Sequence, residues 1–373
     1  MVQQDEQERR PQRALLHDPL LWPFAAAQLA ADACLWWLEG ANALELHEEA
    51  SLAWTTPNKL MLELATMRLR DFSGVVAEIP ALVCAPYALH GALLADFAPG
   101  HSVVEALRYG GVERLYVTDW RSADSEMRFF SIDNYLADLN VAIDEIGPPV
   151  DLIGLCQGGW LSLIYAARFP KKVRRLALVG TPADMSVESK LSRMVAGTPE
   201  GVFEGFVNGE GGLVRGDHTL GFWTEPPDAA VTLQRSLKRE EVRDRELLDR
   251  FNCWYAKTLD LPGVFYLQVV NWIFRENRLA NGTFVALGRD VRLGRLQSPI
   301  FLLAGSDDEV VPAQQAMATA FLLGTPASLV QRAIAPSTHL GLFVGGRTLA
   351  DSWPRIAEWL RSREPQLHAY GEL

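Results

Sequence analysis

The sequence predicts an α/β protein: a mostly parallel sheet with helices on both faces and a helical cap inserted into it. Three observations predict this. Short apolar runs alternate with helical periodicity, as parallel strands joined by crossover helices require. The alternation lapses between about residues 184 and 282 and then resumes. A glycine-flanked cysteine stands where one strand pattern turns directly into a helix pattern.

Residues 1–57 read as a tail followed by an amphipathic helix. Met1 to Arg13 is polar and charged and lacks the apolar stretch of a secretory signal, so a cytoplasmic protein is expected. Leu20 to Leu46 carries Trp22, Phe24, Trp36 and Trp37, but Asp32, Glu39 and Glu45 interrupt it. That is too broken for a transmembrane segment. It suits a helix packed on the domain, or a surface that meets a hydrophobic granule, a lipid or a partner subunit.

Leu60 to Arg70 alternates and predicts an edge strand. Further strands are expected at Ala81–Cys84, Leu115–Thr118, Val150–Leu155, Leu176–Val179, Pro299–Ala304 and Ser328–Ile334. Helical patterns fall at Ser102–Tyr109, Ile132–Ile146 and Trp160–Phe169, and a last helix carries Trp353, Ile356, Trp359 and Leu360. Residues 58–183 and 283–373 thus form the core. The interval 184–282 is too long for a loop. It begins rich in glycine and charge at Glu200–Gly212 and then turns aromatic, with Trp223, Phe251, Trp254, Phe265, Tyr266, Trp272 and Phe274. It is read as a cap subdomain over the carboxyl edge of the sheet.

Composition narrows the function. The 373 residues are 49% apolar and 22% charged, ordinary for a folded protein, and the net charge of -11 argues against a nucleic-acid surface. Cys34, Cys84, Cys156 and Cys253 are scattered, with no CxxC pair, so neither a disulfide framework nor a zinc ribbon is expected. No metal-ligand cluster or nucleotide-binding glycine fingerprint is present, and no cofactor is expected.

The chemistry concentrates in Gly154-Leu155-Cys156-Gln157-Gly158-Gly159, between a strand pattern and a helix pattern. This is the setting of a nucleophile elbow, with cysteine where serine is commoner, and it points to the α/β-hydrolase fold. Glycines there let a tight turn present the nucleophile at the edge of the sheet. The amide of Gln157, opening the helix, would meet a developing oxyanion. On this fold the acid and then the histidine follow the nucleophile along the chain. Asp307 and Asp308 both stand just past the strand ending at Ala304, and Asp308 keeps the spacing to Val311-Pro312. His339 falls between the last strand and the last helix. Cys156, His339 and Asp308 are therefore the candidate nucleophile, base and orienting acid. A second oxyanion donor is expected in the loop after Cys84, from a backbone amide near Leu89, His90 or Gly91.

With these residues the chain resembles polyhydroxyalkanoate synthases, particularly the short catalytic subunits of the two-component class. The resemblance runs from about Asn58 to Arg361 and is firmest at Leu152–Tyr165, Lys172–Leu176 and Thr181–Asp184. Asp119-Trp120, Trp254, Asn281-Gly282, Val311-Pro312 and His339–Gly341 also match. It implies polymerisation of 3-hydroxyacyl-CoA into a polyester, with CoA as carrier and product, a small partner subunit, a homodimer, and contact with a polyester granule. It places the family's catalytic Cys, Asp and His on Cys156, Asp308 and His339. The chain departs from the family at His90–Leu93, where an Asn-Arg-Pro-Tyr run is usual, and at Glu309 and Thr338. His90-Gly91 is closer to hydrolases of this fold, so a depolymerase, esterase or thioesterase with the same triad is the alternative, followed by a non-catalytic binding protein.

Overall fold

The structure, a computed structural model, describes residues 52–74, 79–223 and 245–362. The helix expected over Leu20–Leu46 and the thiol of Cys34 lie outside those residues. Eight strands, numbered in chain order, form one sheet: β1 (Lys59–Glu63), β2 (Met67–Asp71), β3 (Ala81–Cys84), β4 (Leu115–Trp120), β5 (Val150–Leu155), β6 (Val173–Val179), β7 (Ile300–Gly305) and β8 (Val330–Ala335). Their spatial order is β1-β2-β4-β3-β5-β6-β7-β8. The pairings of β2 with β1 and with β4 are antiparallel, and all later ones are parallel. β3 and β5 are buried along their whole length, which is why they read as unbroken apolar runs.

One expectation is corrected at the start of the sheet. Leu60 to Arg70 is two strands, β1 and β2, folded back on each other. Asp138 makes the turn, its Oδ2 accepting from the amide of Thr66 at 3.0 Å and from its hydroxyl at 2.8 Å. That acceptor comes from a distant helix, so no local turn signal marks the break.

Three helices precede the interruption: α1 (Val103–Tyr109), α2 (Ile132–Ile146) and α3 (Gln157–Arg168). α2 buries Ile132, Tyr135, Leu136, Leu139, Ile143 and Ile146, one face at helical spacing. α3 begins at Gln157, three residues before its apolar periodicity, because Gly158 and Gly159 are poor helix formers that tertiary contacts require.

Between β6 and β7 the chain forms α4 (Lys190–Gly197), α5 (Glu200–Gly209), α6 (Gly216–Trp223), α7 (Arg245–Ala256), α8 (Gly263–Gln268), a π-helical run (Val269–Arg275) and α9 (Arg278–Asn281). Its aromatics share the interior of the sheet. Phe203, Phe265 and Tyr266 join Leu82, Tyr135 and Trp160 in one buried cluster. Phe251 and Trp254 join Phe97, Leu155 and Phe343 in a second. Gln315, in α10 (Ala313–Leu322), donates to the carbonyls of Val187 at 2.9 Å and Asp184 at 3.2 Å. Asn277 donates to the Asp184 carboxylate at 2.9 Å, tying together the two ends of the interval. Among the described residues no helix is long and apolar enough to cross a membrane, and no cluster of three metal-ligating side chains occurs.

Candidate active site

Cys156 sits between the end of β5 and the start of α3 with φ 49° and ψ -115°. For a residue with a β-carbon this costs on the order of 1–3 kcal/mol and persists only where the surroundings impose it. Here they do. The Cys156 amide donates to the Val179 carbonyl at 2.8 Å, and its carbonyl accepts from Gly159 at 2.9 Å. The glycines are steric necessities. A β-carbon on Gly154 would lie 2.4 Å from the Gly159 α-carbon, and one on Gly158 would lie 2.2 Å from the Cys84 carbonyl oxygen. One on Gly159 would lie 1.8 Å from Thr181 Oγ1.

The tertiary structure brings His339 and Asp308 to this turn. His339 Nδ1 lies 2.7 Å from Asp308 Oδ2. The other carboxylate oxygen accepts from the amides of Val310 at 2.9 Å and Val311 at 2.7 Å. These three bonds account for the D-x-x-V-P spacing: the following turn wraps around the carboxylate and holds it toward the imidazole. Asp307 is elsewhere, exposed, with its carboxylate accepting from Ser306 at 3.0 Å. Burial alone would lower the basicity of His339. The Asp308 charge, then Cys156, then hydrogen bonds from both overcome it and hold the imidazole well above its ordinary range. With Nδ1 on Asp308, the interaction with Cys156 belongs to Nε2.

Among the other described thiols, Cys84 is fully buried, and burial pushes it up to about 12. A thiol in that state is an inert core residue.

The oxyanion side differs in part from expectation. Gln157 is the first residue of α3, where an amide has no acceptor within the helix. His90 is a correction: its amide is engaged by the Ala88 carbonyl at 2.6 Å, closing a tight turn in which Leu89 has φ 57°. The Leu89 carbonyl accepts from Leu259 at 2.6 Å, so this turn is bound to the inserted interval. The His90 ring packs against Trp254 at 4.7 Å and Tyr255 at 4.9 Å, and burial lowers its pKa to about 4.

A second candidate donor was not singled out in the sequence. Chain leaving β3 packs directly on the elbow, since a β-carbon on Gly158 would also lie 2.6 Å from the Ala85 carbonyl oxygen. The Ala85 amide is held by Thr118 Oγ1 at 3.0 Å, and Pro86 has none. The Tyr87 amide is the next one, and it makes no hydrogen bond to a described residue. Tyr87 and Gln157 line one small cavity. Pro86, just past the strand, was the available signal: it removes one amide and makes that of Tyr87 the next one along the chain.

Sheet order, elbow and the Asp308–His339 pair define a class, and residues 114–345 match the family model described as alpha/beta hydrolase fold. The chain belongs to that family. Within it, the chain is similar to Poly(3-hydroxyalkanoate) polymerase subunit PhaC of several organisms. Identity is 26% with that of Haloferax mediterranei, over 83% of this chain and 64% of the relative, so this chain spans just under two thirds of that protein's length. Identity with the Synechocystis sp. subunit is 28%, over 88% of this chain and 90% of the relative. With the Allochromatium vinosum subunit it is 25%, over 76% and 79%. The resemblance read from residues 58–361 stands on these comparisons. Solved structures agree on the fold alone. An esterase from Thermogutta terrifontis has a TM-score of 0.51 at 16% identity, covering 82% of this chain and 98% of its own. An enol-lactonase from Burkholderia xenovorans has 0.51 at 17%, covering 82% and 99%.

Proposed function

We propose that the chain is an acyltransferase that polymerises 3-hydroxyacyl-CoA into polyhydroxyalkanoate, releasing CoA, through a thioester on Cys156. The observation that carries this reading is a cysteine in the elbow, next to a histidine whose far nitrogen is held by a buried carboxylate. The Cys156 thiol gives its proton to His339 Nε2, and its sulfur attacks the thioester carbonyl. The carbonyl oxygen becomes an oxyanion and accepts from the amides of Gln157 and Tyr87. The C–S bond to CoA breaks, and the CoA thiolate takes the proton from His339.

Exchanging one thioester for another is nearly isoenergetic, so the acyl group stays activated. His339 then takes the proton of a 3-hydroxyl group, whose oxygen attacks the acyl carbonyl; the ester forms as the bond to Cys156 Sγ breaks, and the released thiolate takes the proton back from His339. Asp308 holds the imidazole in the required tautomer throughout. Cys156 packs against the buried apolar cluster that holds Leu155, Phe251 and Trp254, a setting that disfavours water as the acceptor. A small partner subunit, a homodimer, a granule surface and a cytoplasmic setting belong to the same reading, and no cofactor enters the steps.

The test is product analysis with 3-hydroxybutyryl-CoA while free thiol is followed. CoA release with insoluble polyester is the expected result. CoA release with free 3-hydroxybutyrate would replace the synthase with a thioester hydrolase using the same triad.

A further inference from the structure

The loop after β3 is held from two sides. At Ala85 its hydrogen bonds come from β4: Thr118 Oγ1 accepts from the Ala85 amide at 3.0 Å, and Trp120 donates to the Ala85 carbonyl at 2.7 Å. From Tyr87 onward the inserted interval takes over, through α7 and the stretch that follows it. Tyr87 Oη donates to the Asp260 carbonyl at 3.0 Å, and the Leu89 carbonyl accepts from Leu259 at 2.6 Å. The Gly91 carbonyl accepts from Trp254 Nε1 at 3.4 Å, and His90 forms an antiparallel bridge with Thr258.

Asp260 joins three parts of the molecule. Its carbonyl also accepts from the Ala123 amide at 2.9 Å, and its own amide donates to Ser122 Oγ at 2.9 Å, both just past β4. Its carboxylate accepts from the amide of Gly216, which opens α6, at 3.0 Å, and lies 3.6 Å from Arg215 Nε. α6 meets this stretch closely: a β-carbon on Gly216 would lie 2.4 Å from the Leu259 carbonyl oxygen. Fixed through both backbone and side chain, the Asp260 carbonyl is a rigid acceptor for the phenol of the buried Tyr87. A buried hydroxyl that loses its acceptor must find another, and the chain that carries it moves.

We propose that Asp260 is a positioning residue: through the Tyr87 phenol it holds the Tyr87 amide in place beside that of Gln157. The oxyanion site is then completed by the inserted interval and not by the sheet alone. Tyr87, Tyr135 and Gln157 line the small cavity beside the elbow, so a shift of Tyr87 is felt at the elbow directly. An interval lifted off the loop would leave Cys156, His339 and Asp308 intact and remove one oxyanion donor. The consequence for catalysis rests on the acyl-transfer reading; the link between Asp260 and the loop does not.

Tyr87→Phe and Asp260→Ala should each slow single-turnover CoA release from 3-hydroxybutyryl-CoA about tenfold. Acting through one link, they should not add: the double variant should stay within about twofold of the slower single one, and a hundredfold loss would overturn the proposal. Asp260→Asn keeps an acceptor for the Gly216 amide and should recover most of the rate. Alkylation of Cys156 by iodoacetamide needs the thiol but no oxyanion site, and should stay within about twofold of wild type in every variant. The Tyr135 hydroxyl is the other polar neighbour of the Tyr87 phenol. Tyr135→Phe leaves the bond to Asp260 and should release CoA within about twofold of wild type; a loss equal to that of Tyr87→Phe would move the role to Tyr135 and overturn the proposal. Hydrogen exchange at the Leu259 amide, measured without substrate, should quicken about tenfold or more in Tyr87→Phe and Asp260→Ala. Unchanged exchange in both would break the link. If the wild type itself released no CoA, the acyl-transfer reading would fail, and the exchange rates would still decide whether Asp260 holds the loop.

Discussion

His339 Nδ1 lies 2.7 Å from Asp308 Oδ2, and that carboxylate is completely shielded from solvent. A buried carboxylate facing an imidazole does two things here. It sets the tautomer, leaving Nε2 for Cys156, and it keeps the imidazolium favourable where burial alone would disfavour it.

Asp308→Asn should therefore lower turnover by roughly a thousandfold or more, as loss of the orienting acid does in other triads. Asp307→Asn should stay within about twofold, because its carboxylate bonds only to Ser306 at the surface. Steady-state CoA release by the two variants checks this. Equal losses would mean that both acids serve the histidine.

Cys156→Ala should abolish CoA release while the melting temperature stays near or above that of wild type. The strained φ remains, but a small methyl replaces a half-buried thiol. Residual turnover at the wild-type level would rule out the covalent mechanism.

Gly159→Ala should destabilise the fold by about 1–3 kcal/mol, the usual cost of overpacking, because the new methyl meets Thr181 Oγ1 at 1.8 Å. Adding Thr181→Ala should recover only part of the loss, since the Thr181 β-carbon remains 2.7 Å away. Urea midpoints of the single and double variants measure this, and full recovery would place the clash at the hydroxyl alone.

His90 makes a prediction about pH. Its folded pKa is lowered to about 4, below the unfolded value near 6.5, so between these values the unfolded chain binds the extra proton. The stability that a neutral His90 contributes is present above about pH 6.5 and is lost as pH falls toward 4. His90→Phe keeps a ring between Trp254 and Tyr255 and removes the titration. Its unfolding free energy should fall less steeply than that of wild type between pH 6.5 and 4. Asp151, raised to about 6 by burial against the pull of Arg174 and Arg175, titrates in the same range with the opposite sign, and it cancels when the two proteins are subtracted. Parallel slopes would show that the His90 ring is not held neutral.

Much of the sheet was legible because burial on both faces leaves continuous apolar runs, as in β3 and β5. α2 was legible to the residue, its face repeating at helical spacing. Where two signals conflicted, reading failed. Gly158 and Gly159 hid the first turn of α3, because their helix propensity is poor and their reason for being there is a neighbour's carbonyl or hydroxyl. The β1–β2 turn was hidden for the same kind of reason, its anchor being Asp138.

By itself, the sequence determined the α/β rhythm, the elbow with its cysteine and the chain order of Cys156, Asp308 and His339, because these are carried by local spacing and by the steric needs of one tight turn. Only the tertiary structure decided that the His90 amide is engaged, that Tyr87 stands at the elbow, and that Tyr135 and Gln157 border one cavity. Those relations depend on where β3, α2 and α3 meet. Contacts between residues far apart in sequence are set by packing, which no local pattern records.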